Sequence, residues 1–259
     1  MSHFKSLIIG DIHNKVDIVQ SIIDEHPEVD EVVFTGDFFD SFYDTPEDAK
    51  KTASWIKMHI DNPKFHFIYG NHDMPYAYPY SGYLYCPGYD LAKRFEVDKI
   101  LTETDWQKFT LYYKTQGFYI SHAGITEYHF SHPIHGITDK NIEDVCRTAL
   151  ENAKNDIWDA TLLAGSIRGG MIKVGGITWA HFGIEGKPVK GLKQIVGHTP
   201  QSEPRSLYIP NKKHSEGEIH CIDCDLRYYG IIEDGEYITY KHNTLTPPKW
   251  RRYNALPKP

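Results

Sequence analysis

Three times in the first third of the chain, an apolar run stops at a glycine and gives way at once to acid, amide or imidazole side chains. Residues 4–9 end at Gly10 with Asp11-Ile12-His13 behind them. Residues 31–35 end at Gly36, followed by Asp37-Phe38-Phe39-Asp40. Residues 65–69 end at Gly70, followed by Asn71-His72-Asp73. Runs this short and apolar read as buried strands. Between them the period changes. A helix is expected near 15–26, with Asn14 as its N-cap and Val16, Val19, Ile22 and Ile23 on one face. A second starts at Thr45-Pro46, carries Glu47 and Asp48 in its first turn, and stops at Asn62-Pro63. The pattern is βαβαβ. It requires parallel strands whose carboxyl ends share one edge, where open α/β sheets place their ligands.

The rest of the chain adds two more such ends. Residues 118–120 lead to Ser121-His122-Ala123-Gly124, and residues 193–196 lead to Gly197-His198-Thr199-Pro200. Strands are expected near 206–209, 219–222, 228–232 and 237–241, with the last two joined as a hairpin through the turn at 233–236, so the second half reads as mostly antiparallel. Residues 91–114 read as helical in pieces. Residues 139–154 form an amphipathic helix and 155–163 a second one, within a partly helical insertion of about 127–190 over the core. Residues 1–242 read as a single domain, and 243–259 as a Pro-rich, basic tail. The stretch 74–92, dense in tyrosine, proline and glycine, is unsuited to a regular element and must lie beside the Asn71-His72 tip.

Composition narrows the classes. A net charge of −7 without a basic block disfavours stable nucleic-acid binding. No run is long enough to span a bilayer, and four cysteines in 259 residues do not make a disulfide scaffold, so the chain reads as soluble and cytoplasmic. Oligomeric state leaves no mark on the sequence.

Five strand ends thus carry Asp11 and His13, Asp37, Asn71, His122 and His198. Two carboxylates, three imidazoles and an amide oxygen suit Mn, Fe, Zn or Ni better than Ca or Mg. Six donors are too many for one tetrahedral ion and fit two ions sharing a carboxylate. Such ions, about 3.5–4 Å apart, clamp an in-line phosphoryl displacement and acidify a water. Their four positive charges outweigh the two ligand carboxylates, so the site would attract phosphate on an acidic protein.

The ordered set Asp11-X-His13, Gly36-Asp37-X-X-Asp40, Gly70-Asn71-His72-Asp73, Ser121-His122-Ala123-Gly124 and Gly197-His198-Thr199 resembles the calcineurin-like metallophosphoesterase superfamily. The single histidine of the last motif is similar to the phosphoprotein phosphatase branch, which includes bacterial diadenosine tetraphosphatases. The resemblance implies an α/β fold, a four-layer αββα sandwich, and two divalent metal ions, manganese foremost. Asp11 and His13 would hold the first ion, Asp37 would bridge, and Asn71, His122 and His198 would hold the second. His72 would be the catalytic acid, oriented by Asp40. Two departures stand out. Ser41-Phe42 occupy the place of an expected Arg-Gly, for which Arg168, flanked by glycines, is the candidate substitute, and His181 stands where an acidic residue is usual.

The implied activity is hydrolysis of a phosphomonoester, including phosphoserine or phosphothreonine, by in-line attack of a metal-bound hydroxide. The alternatives are a dinucleoside polyphosphate hydrolase, a phosphodiesterase or nuclease, and a non-catalytic metal-binding scaffold. The substrate would be a phosphorylated small molecule, a nucleotide or a phosphoprotein. Tyr76 and Tyr78 could offer a platform for an aromatic group; the plainer reading, a loop packed to shield the site, is preferred. Likewise His220-Cys221-X-X-Cys224 looks like half a zinc site but reads better as a core strand with two thiols. His129, His132 and His135 receive no role.

Overall fold

The computed structural model describes residues 4–41, 43–131, 135–210 and 216–242. Among the described residues, ten strands form two five-stranded mixed sheets. The first has the order β10-β9-β1-β2-β3, built from β1 (Lys5–Ile9), β2 (Glu31–Phe34), β3 (Phe65–Phe67), β9 (Tyr228–Glu233) and β10 (Glu236–Lys241). The second has the order β4-β5-β6-β8-β7, built from β4 (Tyr112–Thr115), β5 (Phe118–Ser121), β6 (Lys193–Val196), β7 (Arg205–Tyr208) and β8 (Glu218–Cys221).

Alternation along the strands explains the layering. Ile8 and Val33 point inward with Ile68, Phe118, Ile120, Ile195 and Ile222, forming an apolar seam between the sheets. Their neighbours Leu7, Ile9, Val32 and Phe34 point outward, against the apolar faces of α1 (Val16–Asp24) and α2 (Pro46–His59). On the far side, Tyr119 belongs to the same outer core as Ile142, Cys146 and Ala149 of α7 (Asp139–Lys154). The result is the α/β sandwich in which helices flank two facing sheets. Both faces of β1 and β2 are buried, which is why their sequences are continuous apolar runs.

β1, β2 and β3 are parallel, as the βαβαβ pattern requires. The second half is mostly antiparallel, as expected: β9 and β10 add antiparallel to the first sheet, and β4–β5 and β7–β8 pair antiparallel in the second. The exception is the centre of the second sheet, where β5, β6 and β8 run parallel to one another. A parallel pair needs a long crossover. The stretch read as an insertion is that crossover, from β5 to β6. It holds α6 (Glu127–Phe130), α7 and two short 3₁₀ turns.

Local corrections have local causes. The first helix is capped at Lys15 without a side-chain bond, because Asn14 adopts a left-handed backbone (φ 61°) and its amide bonds Asp44 instead. The expected helix over 155–163 is only a 3₁₀ turn at Ala160–Leu162, held by the Asp159 side chain. Residues 112–114 are strand, not helix, because they pair with β5. The 74–92 stretch contains two short turns, α3 (Met74–Ala77) and a 3₁₀ turn at Gly82–Leu84, before α4 (Leu91–Asp98) begins at its end; α5 (Glu103–Trp106) follows. Phe42, His132 and the 243–259 tail lie outside the described residues.

Candidate metal centre

The carboxyl ends of three strands of the first sheet and two of the second meet across the seam. The backbones at this junction are tight. His13, Asp37, Asp40 and His198 all have left-handed φ, between 44° and 64°, and Gly36 has φ 107°. Such conformations cost on the order of 1–2 kcal/mol for a residue with a Cβ and persist where surrounding bonds over-determine them. Here the Asp37 carbonyl accepts from the amides of Ile12 (3.0 Å) and His13 (2.8 Å), while Asp73 accepts from the amides of Phe38 and Gly70 (2.8 Å each). Asp73 therefore shapes the turn. Burial, then the charge on Asp37, pushes its pKa up to about 7.

Two groups of donors form, and they share Asp37. In the first, ligand atoms of Asp37, His122 and His198 lie within 4.8 Å of one another. His122 Nε2 is 3.3 Å from Asp37 Oδ2, 3.0 Å from Asn71 Oδ1 and 3.1 Å from His198 Nδ1. His122 Nδ1 faces the Thr35 carbonyl at 2.9 Å. A carbonyl only accepts, so Nδ1 carries a proton and the Nε2 lone pair of the neutral ring is free to ligate. The second group is Asp11, His13 and Asp37. His13 Nδ1 donates to the Asp40 carbonyl at 2.5 Å, which turns Nε2 to within 3.9 Å of Asp37 Oδ2. Asp11 is fixed by the His198 amide (2.9 Å) and the Thr35 hydroxyl (3.1 Å). Each group brings three oxygen and imidazole donors together, with Asn71 Oδ1 beside His122 in the first, and the residues fit a divalent ion on each side of Asp37.

The electrostatics express the same crowding. Burial, reinforced by Asp223 and Asp37, raises the Asp11 pKa well above its ordinary value. Burial also opposes ionisation of Asp37, but His122 and His72 outweigh it and hold that carboxyl far below the usual range. Burial disfavours the charged form of His122, yet Asp37 and Asp11 lift its pKa to about 9.

His72 and Asp40 sit beside this centre. The His72 amide donates to Asp37 Oδ1 at 2.9 Å, and the ring stands edge-on to His13 at 5.5 Å between centroids. Its Nδ1 is 3.8 Å from Asp40 Oδ2 and 3.5 Å from Cys86 Sγ. Burial works against protonating the imidazole, but Asp37 and Asp40 more than offset it, so its pKa lies well above the free value.

Arg168 reaches the same end of the sandwich. Its Nη2 donates to the His198 carbonyl (3.3 Å) and the Thr199 hydroxyl (3.2 Å), while its buried Nε has no partner among the described residues. His181 turns Nδ1 back to the Phe182 carbonyl at 2.8 Å. Tyr76 is buried, and its hydroxyl donates to Asp40 Oδ1 at 2.8 Å. Tyr78 is half-buried and lines a cavity of about 590 Å³ together with Tyr69, Tyr76, Trp106 and Phe109; none of the candidate ligands lines it. The Cys221 thiol, at the end of β8, donates to the carbonyls of Thr199 (3.3 Å) and Gly197 (3.5 Å), on either side of His198. His129 Nε2 faces the Val174 carbonyl at 2.9 Å.

Three residues near the centre escape a strand-end reading of the sequence. Asp223 lies buried just beyond β8; burial, then Asp37, holds its pKa up at about 6. Its signal was an acid inside an apolar Cys-Ile-Asp-Cys run. Thr35 supplies the carbonyl and hydroxyl that orient His122 and Asp11. Lys93, on α4, is buried and ion-paired with Asp40 at 3.1 Å. Nothing local in the sequence distinguishes it from a surface lysine.

A family model described as calcineurin-like phosphoesterase matches residues 4–207. Among solved structures, a putative diadenosine tetraphosphatase is 12% identical with a TM-score of 0.50, the alignment covering 93% of this chain and 95% of that one. A protein serine/threonine phosphatase from Saccharomyces cerevisiae, with similarity to human phosphatase PP5, is 15% identical with a TM-score of 0.50, covering 95% of this chain and 82% of that one. At such identities these two likenesses speak for the fold. No curated protein matches the chain. With the family match spanning most of the chain and two donor groups meeting at Asp37, the chain belongs to the calcineurin-like phosphoesterase family and is a metal-dependent phosphoesterase.

Proposed function

We propose that the protein hydrolyses phosphomonoesters at a dinuclear centre, with Asp11, His13 and Asp37 holding one divalent ion and Asp37, Asn71, His122 and His198 the other. The observation that carries this reading is the sharing of Asp37 by two donor groups beside a His72–Asp40 pair. The mixed nitrogen and oxygen donors favour manganese, with iron, zinc and nickel as competitors. Two such ions supply a nucleophilic water at neutral pH and neutralise charge on the phosphoryl group. His72 gives a proton to the leaving oxygen, and Asp40 keeps its ring in register. Arg168, held beside His198 and Thr199, binds a phosphate oxygen through its guanidinium. The four free cysteines fit a reducing, cytoplasmic setting.

A second reading, hydrolysis of dinucleoside polyphosphates, draws support from the overall likeness to the putative diadenosine tetraphosphatase and from Ser41 in place of the arginine expected of a protein phosphatase. A panel of manganese-loaded assays separates the readings: p-nitrophenyl phosphate, its bis ester, phosphopeptides, nucleotides and dinucleoside polyphosphates. Monoester turnover with an inert bis ester is the expected result. Preference for the bis ester makes the protein a diesterase, and bound metal without any turnover makes it a scaffold.

A further inference from the structure

Two points of the loop between His72 and α4, Tyr76 and Gly88, pack against Asp40. Asp40 Oδ1 accepts from Tyr76 OH at 2.8 Å and from Lys93 Nζ at 3.1 Å. The same ammonium donates to the Gly88 carbonyl at 2.9 Å. Gly88 has φ 99° and passes so close that a Cβ there would lie 3.0 Å from Asp40 Cβ. Asp40 Oδ2 is buried without a hydrogen bond and faces His72 Nδ1 at 3.8 Å. Lys93 is only 3% exposed, and Asp40 1%. A lysine is rarely buried so completely, and one that is needs a partner.

We propose that Lys93 is a positioning residue for catalysis: its buried ammonium, with Tyr76 OH, ties up one oxygen of Asp40 so that the other is presented to His72. The assignment rests on the phosphoesterase reading with His72 as the acid. In that step water adds its oxygen to phosphorus, the leaving oxygen keeps the bonding pair of the broken P–O bond and takes the His72 proton, and the proton lost by water restores the imidazolium. A poor leaving group depends on that proton and a good one much less. Removing Lys93 leaves Asp40 as a buried carboxylate without its cation, free to rotate, and His72 loses its guide.

The test compares phenyl phosphate, a poor leaving group, with p-nitrophenyl phosphate, a good one, for wild type, Lys93→Met, Asp40→Asn and the double variant, all manganese-loaded with metal content measured. Lys93→Met should lower kcat on phenyl phosphate by about 10–100-fold, with a much smaller loss on p-nitrophenyl phosphate and with KM and metal content unchanged. In the Asp40→Asn background the lysine substitution should cost nothing further, as expected for two residues acting as one unit. Equal losses on both esters, or a double variant clearly slower than Asp40→Asn, overturns the proposal. If Lys93→Met alone does not fold, the double variant, which removes both buried charges, still decides: parity with Asp40→Asn supports the assignment and a further loss overturns it. Wild-type protein that turns over neither ester overturns the phosphoesterase reading itself and this assignment with it.

Discussion

Asp37 carries several jobs at once. Its Oδ2 faces His122 and His13, its Oδ1 accepts from the His72 amide, and its carbonyl accepts from Ile12 and His13. Replacing it with asparagine keeps the shape but removes the charge between the two donor groups. Asp37→Asn is expected to reduce hydrolysis to background and to lower bound manganese from two ions toward one, as read by elemental analysis. His122 adds a pH dependence. With its pKa lifted to about 9, it holds a proton at neutral pH that it must release to ligate. Metal affinity should therefore rise with pH up to about 9, most steeply below it, and His122→Asn should flatten that slope. Calorimetric titration with manganese at several pH values measures both.

Turns and loops act as the next level of control. The strand-end glycines are not interchangeable hinges. A Cβ on Gly70 would lie 2.1 Å from Asp37 Oδ1 and 2.2 Å from its backbone nitrogen, and one on Gly197 would lie 1.9 Å from Asp11 Oδ1. These glycines let neighbouring strand ends approach closely enough for ligands to converge. Gly70→Ala should push the Asp37 backbone aside together with its carboxylate. The expected cost is roughly 10–100-fold in metal affinity, read by calorimetric titration with manganese. The tyrosine-rich loop works in the same way. Tyr76, Cys86, Gly88 and Lys93 back the His72–Asp40 pair, whereas Tyr80 and Tyr85 of the same loop are exposed.

At the scale of the whole molecule the two sheets must stay in register, because the donors come from both. At the end of the strands away from the metal centre, Glu31 of β2 accepts from Ser6 (2.6 Å) on β1 and Tyr113 (2.9 Å) on β4, and pairs with His66 (3.3 Å) on β3. His66 stacks on Tyr113 at 3.8 Å between centroids. One buried carboxylate thus ties both sheets together. Burial raises its pKa, but the bonds from His66, Ser6, Thr115 and Tyr113 outweigh this and bring it from 4.5 down to about 2. A depressed carboxylate stabilises the fold above its unfolded pKa and loses that contribution as pH falls through the folded one. The term, on the order of 3 kcal/mol, is present at neutral pH and fades between about pH 4.5 and 2. Glu31→Gln should lower Tm at pH 7, and the gap to wild type should narrow as the pH falls through that window.

Much of this was legible without coordinates. Apolar runs closed by glycine, with helical spacing between them, specified parallel β1–β3, because a strand buried on both faces can be built in few other ways. The donor residues were visible for the same reason: a polar cluster straight after a buried strand can only emerge at its tip. Asn14, residues 155–163 and β4 were misread because a side-chain bond to Asp44, the cap from Asp159 and pairing with β5 override local preference. By itself, then, the sequence determined which atoms are available as ligands and that they sit at strand ends. Only the tertiary structure decided that those ends face one another across a seam, that Asp37 is shared, and that Lys93 from a distant helix reaches Asp40. Hydrophobic periodicity is written locally along the chain, whereas the convergence of charges depends on distances that exist only once the two sheets have packed.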